Sequence, residues 1–307
     1  MLSKYTYKKL TWIDLESPKK DEVLNLAEEY NLPGLITNEL VVSTIRSKVD
    51  YYPKQGLIYL VLHFPVVDSQ SKDGIEQEVD FIIGKNFIIT THYEKVDPLH
   101  KFSRIFDSNG TLEKTNLDDH AGYLFLYIIK ELYKFSLEQL DEINDILKRI
   151  EVDIFEGKET KNVETISDTN RKLLNFKRSF RFHEEILKSF ETAGAELFGN
   201  VFSYNLASIT SEYNKVKNVM DGHKEILNDL RDTNDSLLSS KTNETIKTLT
   251  IMTFIMLPIT LITGVFGMNV ADDLILIQST PDFFFVLGAM LLTGLTMFLY
   301  FKTKKWL

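Results

Sequence analysis

The chain has 307 residues, of which 44% are hydrophobic and none is cysteine, and its formal net charge is -9. The absence of cysteine excludes a disulfide framework, a thiolate metal site and a cysteine nucleophile. The acidic balance argues against nucleic-acid binding, because neutralising phosphates requires a basic surface. An acidic surface attracts cations instead.

The first hundred residues predict a small sheet flanked by helices, of the α/β or α+β class. Ser17 and Pro18 predict an N-cap and a first-turn proline for a helix that runs to about Tyr30. The N-terminus has no apolar run after its positive charges, so it is not a secretory signal and this domain is expected in the cytoplasm. Apolar, β-branched runs predict strands over residues 11–15, 57–64, 79–83 and 87–91.

From about Leu117 the strand signals stop and long helices are predicted. No proline lies between Pro98 and Pro258, and glycines near residue 157 and over residues 194–199 indicate helix ends. Residues 183–185, His-Glu-Glu, predict a solvent-exposed helix turn. The helices carry no catalytic signature.

The last of these helices carries a stripe of mostly apolar residues that steps by alternating four and three positions. This 3.5-residue period is typical of long helices packed side by side. It is compatible with a hydrophobic core, and it also offers a means of oligomerising. We call it the apolar seam; it consists of Ile209, Tyr213, Val216, Met220, His223, Leu227, Leu230, Asn234 and Leu237.

Two runs at the end of the chain are free of charged side chains, over residues 248–271 and 283–301. Each reaches the roughly 20 residues that an α-helix needs to cross a bilayer core, so two transmembrane helices are predicted. A buried hairpin of a soluble core is the alternative. Lysines flank the outer sides of the pair, whereas the connecting loop holds Asp272, Asp273 and Asp282, so both termini are expected in the cytoplasm.

Continuing the steps of the seam into the first span gives a face that changes from apolar to small and hydroxyl-bearing. Such a face can pack closely against another helix or line a hydrated pore. Two spans cannot enclose a pore alone, so a pore requires several copies around an axis. The stepped positions are Asn243, Ile246, Thr250, Thr253, Leu257, Thr260, Gly264 and Gly267.

Short motifs around the first span resemble the CorA family of divalent-cation transport proteins. The first span ends in Phe266-Gly267-Met268-Asn269, and the chain ends in Lys304-Lys305-Trp306-Leu307. The stretches Lys241-Thr242-Asn243-Glu244 and Leu257-Pro258-Ile259-Thr260 add to the likeness. The family is marked by Gly-Met-Asn closing the first of two C-terminal membrane helices.

The resemblance implies a funnel-shaped homopentamer with an N-terminal α/β/α sandwich and a long stalk helix continuous with the pore-lining span. The expected organisation is an α/β domain over residues 1–115, a helical region over 116–247, spans over 248–271 and 283–301, a loop over 272–282 and a basic tail over 302–307. The protein is then expected in the inner or plasma membrane, in contact with lipid and with copies of itself.

The resemblance also assigns roles to residues of the first span. Asn269 would form a ring at the outer mouth, in a loop set by Gly267 and Met268; a helix C-cap is the alternative role for Asn269. Thr260 and Gly264 would offer a hydroxyl and a carbonyl to the ion. Leu249 and Leu257 would form hydrophobic constrictions, and Asn243 a polar ring. We call the following positions the candidate pore face: Asn243, Ile246, Leu249, Thr250, Thr253, Leu257, Thr260 and Gly264.

In this family the cytoplasmic domains bind Mg²⁺ between subunits, and loss of that ion opens the gate. Where the family carries an acidic sensor, this chain has Ser208 and Ser211 beside Glu212. Glu212 and Asp68 are therefore the candidate regulatory metal ligands.

The sequence predicts a transporter and not an enzyme. It contains no HExxH, GxxxxGK[ST] or GxSxG motif, so neither a metallohydrolase nor an ATP-driven pump is indicated. The expected substrate is Mg²⁺, regulatory as well as transported, with Co²⁺, Ni²⁺ or Zn²⁺ as alternatives. A non-conducting membrane-tethered sensor or scaffold is the rival from another class.

Overall fold

The computed structural model describes residues 1–44, 46–65, 76–107, 120–267, 280–304 and 306. The chain divides into two compact units, Met1–Arg231 and Asp232–Leu307, and the boundary falls inside helix α7 (Asn200–Gly267). The strand-bearing region expected up to residue 115 falls within the bounds of the first unit, whereas the helical region expected over residues 116–247 continues past Arg231 into the second unit. The boundaries predicted from the sequence rest on residue composition, whereas the two units are defined by contacts between residues. The predicted boundaries stay predictions.

A six-stranded mixed sheet lies in the first unit, in the order β1-β2-β6-β5-β4-β3. Strands β2 and β6 pair in parallel, and the other neighbours are antiparallel. The strands are β1 (Leu2–Tyr7), β2 (Leu10–Glu16), β3 (Lys48–Tyr52), β4 (Leu57–Pro65), β5 (Glu76–Ile83) and β6 (Phe87–His92).

The four strands predicted from apolar runs are confirmed as β2, β4, β5 and β6. The sequence pattern missed β1 and β3, which form the two edges of the sheet. Every residue of β3 is half-buried, and β1 alternates exposed and half-buried side chains. An edge strand buries little apolar surface, so it leaves a weak hydrophobic pattern.

Helices cover both faces of the sheet, which gives the α/β/α sandwich that the resemblance implies. On one face, Ile13, Tyr59 and Ile89 pack in a core with residues of α1 and α2. On the other face, Phe81 meets Phe125 of α4 at a ring-centroid distance of 5.2 Å. The helices of this unit are α1 (Lys20–Glu29), α2 (Gly34–Glu39), α3 (Asp97–Asp107), α4 (Ala121–Phe155), α5 (Glu159–Ser179), α6 (His183–Phe198) and the first part of α7.

Two helices end shortly before a glycine, as the sequence predicts. Gly157 after α4 and Gly199 after α6 have φ values of 85° and 93°, which favour glycine because it lacks a Cβ. The break between α5 and α6 falls at residues 180–182, where neither glycine nor proline occurs, and it was not predicted.

The predicted start of α1 is wrong by two residues. Lys19, not Ser17, precedes the helix, and its backbone N–H donates to Glu22 Oε2 at 3.0 Å. Ser17 has a left-handed φ of 47°, and its hydroxyl donates to the carbonyl of Tyr93 at 2.6 Å. Ser17 therefore anchors the chain to the residue after β6 instead of capping the helix.

The apolar seam up to Leu227 is part of the core of the first unit. Its members Ile209, Tyr213, Val216 and Leu227 are each at most 4% exposed. The Tyr213 ring stacks with the ring of His183 on α6 at 6.0 Å. The part of the seam up to Leu227 thus packs within the chain, so its sequence pattern reports folding and not association between copies.

We predict that Gly199→Ala destabilises the protein. At φ 93° and ψ 160°, a Cβ is strained even though no other atom lies within 4 Å of its position, so the free energy of unfolding should fall by about 1–3 kcal/mol. Gly222→Ala is the matched control, because this helical glycine also has open space around it and alanine favours helix by up to ~1 kcal/mol. Thermal unfolding of the detergent-solubilised protein measures both, and equal shifts would contradict the argument.

Candidate functional site

The second unit contains two helices that are long and apolar enough to cross a membrane, the C-terminal part of α7 and α8 (Thr280–Thr303). Their large apolar side chains remain exposed: Leu249 is 59%, Met256 60% and Leu291 69% exposed. A soluble hairpin would bury such residues, since large contiguous apolar surfaces are rare on soluble proteins. The structure therefore favours the two predicted spans over a soluble core.

One side of α7 packs against α8. Phe254 and Phe301 approach with ring centroids 6.3 Å apart. A Cβ on Gly294 of α8 would lie 3.3 Å from Ile259 Cδ1, so the two helices are close at that point. Ile251, one helical step from Ile255 and two from Ile259, is only 3% exposed. These residues define the side of α7 that is already occupied.

The candidate pore face lies on roughly the opposite side of α7. At 3.6 residues per turn, Thr253, Thr260 and Gly264 project away from the Ile251–Ile259 side. In the single chain, Ile246 is 55% and Leu257 58% exposed, and the other positions of the face are exposed except Thr250, which is half-buried. Helix α8 thus leaves this face open, and none of the residues that define the face is charged.

The threonine hydroxyls on this face are oriented by their own helix. Thr250, Thr253 and Thr260 each donate to the carbonyl four residues earlier, at 2.7, 2.9 and 2.9 Å. A hydroxyl that donates in this way still has oxygen lone pairs available. Each threonine can therefore act as an acceptor toward a cation or its water shell. The sequence shows that threonines occupy these positions, but it does not show which acceptor each hydroxyl donates to.

The C-terminal end of the first span is described up to Gly267, the last residue of α7. The predicted mouth residues Met268 and Asn269 and the candidate regulatory ligand Asp68 lie outside the described residues, so their roles stay predictions. The other candidate ligand, Glu212, is half-buried on α7, and its Oε1 lies 2.8 Å from Lys215 Nζ. Among the described residues no group of three His, Cys, Asp or Glu could hold a metal ion.

A buried carboxyl in β5 was not singled out by the sequence. Asp80 is fully buried, and no N–H or O–H group of a described residue donates to its oxygens. Its neighbour on the same face, Glu78, accepts from the Ser43 hydroxyl at 2.7 Å and from the Thr44 N–H at 2.6 Å. Burial, reinforced by the charge of Glu78, raises the pKa of Asp80 well above its usual range. The signal that could have found it is an aspartate inside an otherwise apolar strand.

The prediction of an exposed turn at residues 183–185 is wrong for His183, which is fully buried. Its Nε2 lies 2.9 Å from the His63 carbonyl and its Nδ1 2.8 Å from the Tyr133 hydroxyl. A carbonyl only accepts, so Nε2–H donates to it and Nδ1 accepts from Tyr133. Burial lowers the pKa of His183 to about 3, so the ring is neutral. The histidine joins α4, α6 and β4 and is not a solvated residue.

These features define a class of protein: an α/β/α unit carried on a chain that ends in two membrane helices, the first with an uncharged, hydroxyl-bearing face. The family described as CorA-like Mg²⁺ transporter protein matches residues 7–304. The chain belongs to this family, as the motifs suggested. It is accordingly a membrane protein that transports divalent cations, and not an enzyme.

Relatives match over nearly the whole chain. The cobalt/magnesium transport protein CorA of Thermotoga maritima is 25% identical over 310 residues, which cover 97% of this chain and 83% of the relative. The solved structure of the complete CorA magnesium transporter from Methanocaldococcus jannaschii superposes with a TM-score of 0.82 at 18% identity, covering 98% of this chain and 93% of that one. The match to the solved ZntB cytoplasmic domain of Vibrio parahaemolyticus covers 76% of this chain and 90% of that domain, with a TM-score of 0.61 at 13% identity.

We predict that Asp80→Asn stabilises the protein increasingly as pH rises. Because the pKa of Asp80 is higher in the folded than in the unfolded chain, the folded state holds a proton that the unfolded state releases above about pH 4. The wild type therefore loses up to ~1.4 kcal/mol of unfolding free energy per pH unit until pH reaches the folded pKa. The asparagine variant has no such loss.

Thermal unfolding between pH 5 and pH 8 measures this difference. Glu185→Gln is the control, because it neutralises an exposed carboxylate in the same unit. A gap between wild type and Asp80→Asn that stays constant with pH would contradict the buried-acid interpretation.

Proposed function

We propose that the protein is a passive Mg²⁺ channel, driven by the membrane potential and gated by intracellular Mg²⁺. The observation that carries the proposal is the candidate pore face, which is charge-free, hydroxyl-bearing and left open by α8. A two-span chain cannot enclose a pore, so this face must meet copies of itself around an axis, and the resemblance implies five. Both termini would lie in the cytoplasm, as the flanking lysines predict.

The chemistry of the face suits Mg²⁺ in its hydrated form. Mg²⁺ gives up its water reluctantly and is commonly bound through retained waters. Threonine oxygens whose protons are already donated to the helix offer acceptors to those waters. Carboxylates would bind the ion more tightly and slow its release. In the proposed channel, Asn269 adds an acceptor ring at the mouth, and Gly267 and Met268 set the loop that presents it.

Entry of the ion needs no other energy source. An inside-negative potential of 100 mV favours inward movement of a divalent cation by about 4.6 kcal/mol. The acids Asp272 and Asp273 beside the mouth would raise the local cation concentration. Uptake can therefore proceed down the electrochemical gradient.

In the proposed gate, rings of Leu249 and Leu257 stop conduction by losing water when the pore narrows. Cytoplasmic Mg²⁺ would favour the closed state because it binds that state better, with Glu212 and Asp68 as the candidate ligands. Loss of the ion would then shift the population toward the open state.

Other divalent cations are the second candidate substrates. The Thermotoga maritima relative is named for cobalt as well as magnesium. The candidate pore face has no imidazole or sulfur ligand that would distinguish Co²⁺, Ni²⁺ or Zn²⁺ from Mg²⁺. A non-conducting sensor or scaffold is the remaining alternative, and it does not require an open hydroxyl-bearing face.

We predict that Asn269→Ala lowers Mg²⁺ influx about tenfold or more, because a side-chain contact to the hydrated ion is lost. The assay is influx of Mg²⁺, Co²⁺, Ni²⁺ and Zn²⁺ into liposomes under an inside-negative potential, with the complex verified by mass as a pentamer. Asn214→Ala, an exposed position of α7 in the first unit, is the matched control. Full flux in the Asn269 variant would exclude the proposed role, and no flux of any ion in intact wild-type oligomers would favour the scaffold.

We predict that Leu249→Ser raises Mg²⁺ flux at high internal Mg²⁺. A hydroxyl holds water in the constriction, so the closed pore becomes less able to exclude the ion. Leu291→Ser on α8 is the control, because Leu291 is similarly exposed but lies on the other helix. The same liposome assay with internal Mg²⁺ measures both, and equal effects at the two sites would assign the change to general loosening of the helices.

A further inference from the structure

A cavity of about 580 Å³ opens in the first unit where the α5–α6 corner meets the segment before β3 and the start of β5. It is separate from the candidate pore face. Its size falls within the range of sites that bind small ligands. Nothing in the proposed transport function uses it.

The cavity concentrates positive charge in an otherwise acidic protein. Three arginines, Arg46, Arg178 and Arg181, line it. The whole chain has seven arginines, at positions 46, 104, 149, 171, 178, 181 and 231, and a net charge of -9. One carboxylate also lines the cavity, that of Glu76, whose Oε1 lies 3.3 Å from Arg178 Nε. The arginines therefore outnumber the carboxylates by three to one.

A buried hydroxyl on the wall also lacks a partner. Ser179 is 2% exposed, and its Oγ bonds to no described residue. Buried polar groups in native proteins are nearly always hydrogen-bonded, so an unsatisfied hydroxyl lining a cavity points to a ligand atom. Ser179 and Arg178 both line the cavity.

The side chains of His63 and Ser47 on the wall already have partners, whereas Arg181 only stacks on a ring. The His63 ring lies 2.9 Å through Nδ1 from the Ser47 hydroxyl and 2.9 Å through Nε2 from the Thr44 carbonyl. The Arg181 guanidinium lies over the Phe182 ring, 5.1 Å from its centroid. This stacking restrains the guanidinium plane and leaves its N–H groups at the edge available for an acceptor.

We propose that this cavity binds a small polyphosphate-bearing anion, the group that inorganic triphosphate and ATP share. Guanidinium groups match phosphate oxygens in two-point hydrogen bonds, which lysines do not reproduce. Arg178 and Arg181 bind the phosphate groups, and Ser179 donates to a phosphate oxygen. Arg46, in the segment before β3, supplies a third positive charge. Occupancy of the site links the α5–α6 corner to the sheet.

Binding to the full-length protein in detergent tests the proposal. Isothermal titration with ATP, AMP, inorganic triphosphate and inorganic phosphate, in metal-free buffer with chelator, separates phosphate recognition from any metal-mediated contact. Saturable ATP binding is expected, with AMP weaker. Triphosphate that binds as tightly as ATP would support the phosphate site and assign no role to the nucleoside. No saturable binding of any of the four compounds would overturn the proposal.

Substitutions of the cavity residues test whether the ligand binds at this site. Arg178→Gln and Arg181→Gln should each weaken ATP binding about tenfold or more, and Ser179→Ala about 2–10-fold. Arg171→Gln is the matched control, since it removes the same charge from α5 outside the cavity, where the arginine pairs with Asp168. An equal loss in the Arg171 variant would overturn the assignment, because it would show only nonspecific attraction. Thermal unfolding without ligand verifies that each variant folds.

Discussion

The membrane unit depends on one constraint: inside a bilayer, every backbone polar group must be bonded within the protein. Helix α7 meets it with its own hydrogen-bond ladder, except that Pro258 cannot donate to the carbonyl of Phe254. The threonine hydroxyls are drawn into the same ladder, since they donate to carbonyls four residues earlier. What remains for an ion is their oxygen lone pairs. The requirement that keeps the helix intact therefore also creates the acceptors on its open side.

The first unit handles polar groups differently, by burying them between layers. His183 joins α4 and α6 to β4 through two hydrogen bonds, and its desolvated ring is neutral. Asp80 lies in the sheet with no donor to its oxygens among the described residues, and its burial beside Glu78 raises its pKa and favours the protonated acid. Helix α7 begins in this core through the apolar seam and also supplies the candidate pore face. One helix thus belongs to both the folded core and the proposed conduit.

Much of the architecture could be predicted from the sequence. The four strands with long apolar runs, the helix ends at Gly157 and Gly199, and the two charge-free spans follow from local patterns. The edge strands β1 and β3 could not, because an edge strand buries too little to leave a pattern. The break between α5 and α6 lacks glycine and proline, so only packing marks it. For the candidate site, the sequence placed small and hydroxyl-bearing residues on one face of α7.

The sequence alone determined the charge-free spans, the stepped face and the motifs of the family, because each is a property of residues close together in the chain. Only the tertiary structure decided which side of α7 is covered by α8, and that His183 and Asp80 are buried. It also brought Arg46 to the same cavity as Arg178 and Arg181. Burial, pKa and local charge depend on neighbours that are distant in sequence, and these are fixed only when the layers pack.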